Sequence, residues 1–162
     1  MAKDESSDRL FNAAEFDPAN SVQAKEQWPE QTFHVSHLRE EDFQVDGFRD
    51  YALSRDFGFA EATGGMVQAH VHRRGRPFNA EEVSKPHFHD TLFQMVYILK
   101  GWMKVEFEGQ GVIEMREGSS WIQPPCIKHV VYGFSDDLET LEIILPAKYD
   151  TYNLEVSPFR KP

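Results

Sequence analysis

From about residue 65 onward the chain alternates apolar and polar positions in short runs divided by turn residues. Trp102–Glu108 sets Met103, Val105 and Phe107 on one face, with Lys104, Glu106 and Glu108 on the other. That period of two belongs to a half-buried strand. Val112–Arg116 repeats it, with Ile113 and Met115 facing in. Phe93–Leu99 is apolar on both faces, as a doubly covered strand is. Met66–Val71, Ser119–Gln123, Lys128–Phe134 and Leu138–Leu145 read as further strands. Turn signals separate them: Gly64-Gly65, Arg74 to Pro77, Gly101, Glu108-Gly-Gln-Gly111, Glu117-Gly118, Pro124-Pro125 and Ser135 to Asp137. Short strands at roughly ten-residue spacing predict an all-β, antiparallel sandwich or barrel. No helical periodicity of any length and no internal repeat interrupts the pattern.

The beginning of the chain reads differently. Residues 1–31 are polar, with one short helical piece expected at Val22–Gln27, and form an arm expected to pack on a partner subunit. Thr32–His37, Phe43–Val45 and Tyr51–Ser54 come next as irregular segments. The expected organisation is an arm over 1–31, a barrel over 32–150 and a tail over 151–162.

Composition narrows the function classes. Lys and Arg number 17 against 27 Asp and Glu, for a net charge of −10. This balance opposes binding to nucleic acid, which needs a basic patch, and to anionic membranes. The first residues lack the apolar core of a secretory signal, and no apolar run is long enough to span a bilayer. One cysteine, Cys126, allows no internal disulfide. A cytoplasmic protein is expected.

The chemistry concentrates in a few polar residues. On a strand, His87 and His89 point to the same side, so two imidazoles can share one metal ion. Gln94 and Gly101 come after them, then Gly118, Pro124 and His129. In this spacing the chain resembles the cupins, whose first motif reads Gly-x5-His-x-His-x3–4-Glu-x6-Gly and whose second reads Gly-x5-Pro-x-Gly-x2-His-x3-Asn. His87, His89 and Gly101 match the first, with Gln94 at the acidic position. Gly118, Pro124 and His129 match the second. The resemblance covers about residues 65–146. It implies a jelly-roll barrel, the double-stranded β-helix, with one divalent transition metal (Fe, Mn, Ni, Co, Cu or Zn) on His87, His89, Gln94 and His129.

Four departures stand out. Glu81 occupies the leading Gly of the first motif, and Gln94 replaces its Glu. A neutral amide leaves the site about one unit more positive, which should weaken metal binding and sharpen Lewis acidity. Cys126 replaces the Gly of the second motif at a turn that favours positive φ, so Pro124–Ile127 is expected to turn differently. Gly133 replaces its Asn.

Around this centre, Gln68, His70, Val96, Met103, Val105, Trp121, Gln123 and Val131 are expected to line a substrate pocket, with Ile98 and Phe107 also facing in. His70 and His72 form a second His-x-His, which either lines the pocket or lies on a half-exposed strand running into Arg73-Arg74. No carboxylate is placed in the pocket, which leaves His70, His72 or Tyr132 as proton carriers. Phe93, Met95, Tyr97 and Leu99 face the other way and call for another layer, expected to be a second subunit in a homodimer. Two functional readings remain open. One is a metal-dependent enzyme on a small organic molecule, either dioxygenase-like or a Lewis-acid cyclase or isomerase. The other is a cupin that binds a small ligand without chemistry.

Overall fold

The computed structural model describes residues 17, 19, 21, 28–45 and 51–159. The chain divides into two compact units, residues 1–30 and 31–162. Most of the arm, including the expected helical piece at Val22–Gln27, lies outside the described residues.

The second unit is built from strands: β1 (Gln44–Val45), β2 (Ala52–Asp56), β3 (Gln68–Arg74), β4 (His87–Asp90), β5 (Phe93–Lys100), β6 (Trp102–Phe107), β7 (Gly111–Arg116), β8 (Ser120–Ile122), β9 (His129–Phe134), β10 (Glu139–Leu145) and β11 (Asp150–Asn153). They form a six-stranded sheet in the order β1-β2-β3-β10-β5-β8 and a five-stranded sheet in the order β11-β4-β9-β6-β7. All the described pairings are antiparallel. This is the jelly-roll architecture that the cupin resemblance implies, and it agrees with the antiparallel sandwich or barrel predicted from the strand spacing. The expected tail boundary at 150 falls inside β11, whose residues pair with β4. No helix among the described residues is long and apolar enough to cross a membrane.

The alternation places side chains as read from the sequence. Met103, Val105 and Phe107 of β6 are buried between the sheets, together with Ile98, Met115, Phe134 and Leu138. Each such side chain contributes about 1.5–3 kcal/mol by leaving water. Ile113 departs from the expectation: it lies opposite Val105 but is 43% exposed, because β7 is the edge of its sheet. Gly101 turns β5 into β6 with φ +75, and a Cβ there would strike Ser135 Oγ and Asp137, so only glycine fits.

Among the described residues, two one-turn helices lie where no helical pattern was read: α1 (Phe59–Ala62) and α2 (Ala80–Val83). The signal for α2 was present as a capping box, Asn79 with Glu82 three residues on. Asn79 Oδ1 accepts from the Glu81 amide at 3.0 Å and its Nδ2 donates to Glu82. A single turn is too short to show a period, so hydrophobic patterning passes over it. The motif's leading Gly position, Glu81, lies in this helix. Val83 packs into the core and the Ser84 hydroxyl donates to the Val131 carbonyl at 2.6 Å, which anchors the approach to β4.

Candidate metal centre

The five-stranded sheet brings three histidines together. His87 and His89 alternate inward along β4, and His129 begins β9 directly opposite His87. All three are buried. Their rings are in contact, with centroids 4.3 Å apart for His87 and His129, 5.0 Å for His87 and His89, and 5.2 Å for His89 and His129. One nitrogen from each lies within 4.8 Å of the others.

The other ring nitrogen of each imidazole is committed to an oxygen. His87 Nδ1 donates to the Lys85 carbonyl at 2.8 Å, and His129 Nδ1 donates to the Ile127 carbonyl at 3.0 Å. A carbonyl only accepts, so in its neutral form each of these rings carries the proton on Nδ1 and presents the lone pair on Nε2. His89 Nδ1 lies 2.8 Å from the hydroxyl of Thr151, its cross-strand partner on β11. This outer set of oxygen partners is what orients imidazole ligands around a metal. The residues present therefore fit a divalent transition ion, for which imidazole nitrogen is a suitable donor.

The turn that carries His129 keeps its left-handed residue. Cys126 has φ 61, so the segment does not turn differently for want of glycine. The Cys126 amide donates to the His89 carbonyl at 3.0 Å and ties the turn to β4. Cys126 itself is exposed.

The six-stranded sheet supplies the opposite wall. By cross-strand register, one inward row runs Asp56, His70, Glu142, Val96, Trp121, and the next runs Ser54, His72, Thr140, Ile98. Gln94, nearly inaccessible to solvent, sits opposite Ile144 beside Glu142. Its Nε2 donates to Glu142 Oε1, an orientation in which its oxygen is the amide's acceptor atom.

Glu142 is the site residue that sequence reasoning missed. In Leu-Glu-Ile-Ile-Leu a single acid reads as a solvent-facing position, yet it is in phase with buried Thr140 and Ile144. His70 Nε2 lies 2.7 Å and His72 Nε2 3.2 Å from Glu142 Oε2. Burial on its own would raise the carboxyl. The hydrogen bonds and charge of His70 and His72 outweigh it and hold Glu142 well below the usual carboxylate range. His70 is buried, so the pair does not lie on a half-exposed strand. The two arginines that end β3 do not form a free basic surface either: Arg73 lies over the Phe43 ring and Arg74 over the Phe134 ring.

The expected pocket residues divide between two cavities. Val96, Met103, Val105, Trp121, Gln123 and Val131 line a space of about 80 Å³ beside the three histidines. Gln68 and His70 line a wider one of about 540 Å³ with Asp56, Tyr149 and Asp150. His72, His89 and Glu142 stand in the walls of both. The Trp121 indole donates to Gln123 Oε1 at 3.2 Å, and Gln123 Nε2 lies 3.5 Å from His129 Nε2. Ile98 and Phe107 belong to the core rather than to a cavity wall. Tyr132 is no proton carrier for the site. Its hydroxyl donates to Glu106 at 2.8 Å; burial and that carboxylate push it up to about 12.

Residues 78–144 match the family model described as Cupin domain. Among solved structures, the chain is similar to the polyketide cyclase RemF from Streptomyces resistomycificus (17% identity, 76% of this chain, 88% of that chain, TM-score 0.58). It is also similar to KdgF from Halomonas sp. (20% identity, 72% and 96%, TM-score 0.58). An oxalate decarboxylase from Lactobacillus farciminis shares the fold over 72% of this chain and 35% of its own, at 17% identity and TM-score 0.54. No curated protein sequence matches.

Proposed function

We propose that this chain, a cupin by its fold and by its match over residues 78–144, is a metal-dependent enzyme acting on a small organic molecule. The observation that carries the reading is the set of three buried imidazoles, each with Nδ1 held by an oxygen of the protein. Gln94 completes the donor set through its amide oxygen, since its nitrogen is engaged by Glu142. A divalent transition ion bound there supplies Lewis acidity and, as Fe(II), redox capacity toward O2. Val96, Met103, Val105 and Val131 give the inner cavity an apolar side. Trp121 and Gln123 offer a ring face and an amide to a substrate at its edge. Gln68 and His70 meet the part of the molecule that extends into the wider cavity.

The kinship in fold with RemF, whose description is a polyketide cyclase, supports a cyclase or isomerase reading beside a dioxygenase one. Reconstituted Fe(II) protein is tested for O2 uptake, and Zn protein for substrate loss, against a panel of catechols and 1,3-diketones. Turnover in either form that disappears in His129→Ala is the expected result. Tight binding of panel members without turnover in either form would favour the ligand-binding reading.

We infer further that the enzyme is a cytoplasmic homodimer. Support for a dimer comes from Tyr97, Leu99 and Ile122, which stay exposed on the outer face of neighbouring strands β5 and β8.

A further inference from the structure

Two histidines and a carboxylate converge a second time, outside the three-histidine centre. His70 and His72 project from the same face of β3, and Glu142 lies directly opposite His70 on β10. The imidazole rings are 4.1 Å apart by centroid. Both Nε2 atoms face the same oxygen, Glu142 Oε2, at 2.7 and 3.2 Å. Donor atoms sharing an ion with bonds near 2.1 Å stand about 3.0–3.4 Å from one another, by the geometry of octahedral and tetrahedral shells. The two N–O separations bracket the octahedral spacing, and all three donor atoms lie within 4.8 Å of one another. The donors come from adjacent paired strands, which hold such a constellation more tightly than loops do.

The partners of these donors also suit a metal site. Ser54 Oγ lies 2.6 Å from His72 Nδ1, an outer hydrogen bond of the kind that fixes which nitrogen of a ligand imidazole carries the lone pair. Gln94 Nε2 holds Glu142 Oε1, leaving Oε2 for the histidine side. The cluster opens on the wider cavity of about 540 Å³, so a bound ion would keep positions for water or substrate.

We propose that His70, His72 and Glu142 form a second divalent transition-metal site, a two-histidine, one-carboxylate triad whose open positions face the wider cavity. It lies across Gln94 from the three-histidine centre: Gln94 would serve one site through its oxygen and brace the other through its nitrogen. The proposal goes beyond the single-metal reading above and does not require it. Imidazole and carboxylate together suit Fe(II), Co(II), Ni(II) or Zn(II) rather than Ca²⁺.

The test is metal counting on the full-length, tag-free chain. The protein is stripped with a chelator, dialysed against Co(II), analysed for cobalt and scanned for visible absorption. Wild type is expected to hold two equivalents. The double variant His70→Ala, His72→Ala is expected to hold one, and so is His129→Ala. Should the double variant fail to fold, Glu142→Gln, which keeps the side-chain volume, carries the same prediction of one equivalent lost. One equivalent in wild type that survives in the double variant or in Glu142→Gln, and vanishes in His129→Ala, overturns the second site. Two equivalents retained in a folded triad variant overturn it as well. One equivalent lost in the triad variants but kept in His129→Ala supports the triad and overturns the three-histidine reading instead.

Discussion

The amide nitrogen of Gln94 donates to a carboxylate, and a carboxylate at position 94 could not. Beside the cupin motif alone, Gln94 is a lost negative charge. In the structure that charge stands one strand away, on Glu142, held ionised by His70 and His72. Gln94→Glu therefore sets two carboxylates against each other rather than restoring a ligand. It is expected to destabilise the metal-free protein by about 2 kcal/mol or more. Urea denaturation measures this, and an unchanged midpoint would contradict it. Cys126 gives the opposite prediction. A non-glycine residue at positive φ carries strain of about 1 kcal/mol, offset in part by the entropy glycine loses on folding. Cys126→Gly is expected to leave stability unchanged or raise it by up to about 1 kcal/mol, and a lower melting temperature would contradict the strain argument.

At the scale of elements, most of the barrel was legible because each strand writes its buried face as every second residue. Met103, Val105 and Phe107 announce β6, and His87 and His89 announce a shared face of β4. What escaped depends on register between distant strands. Glu142 looks like any surface acid until β10 is laid beside β3, which sets it opposite His70. Thr151 likewise gains its role only from the pairing of β11 with β4, where it meets His89. Thr151→Val removes that oxygen, and metal affinity is expected to fall about 10–100-fold, as read by chelator competition. Equal affinity would show that the hydroxyl does not orient His89. The β9–β6 pair adds a prediction at high pH. Tyr132 titrates at about 12 in the fold, above its ordinary value of 10.0. A group raised on folding contributes its full stability below its unfolded value and loses it as pH climbs through the folded one. Stability should therefore decline between about pH 10 and 12, by less than the ~2.7 kcal/mol that a two-unit rise would carry without solvent screening. Tyr132→Phe should flatten that part of the curve; an identical alkaline decline in the variant would assign it elsewhere.

Across the whole molecule, the two sheets divide the labour. The five-stranded sheet carries the three histidines, and the six-stranded sheet carries Gln94 with the His70, His72 and Glu142 cluster. Apolar side chains from both close part of the space between them, and the polar clusters face the cavities in the rest. Fold alone does not select a reaction, so the metal is the claim on which the functional reading stands. Elemental analysis of tag-free protein as purified, beside His87→Ala, tests it most directly. The account predicts at least one equivalent of a transition metal per chain, with one equivalent lost in the variant. Metal-free protein that takes up no Fe(II), Mn(II), Co(II), Ni(II) or Zn(II) when these are supplied would contradict it.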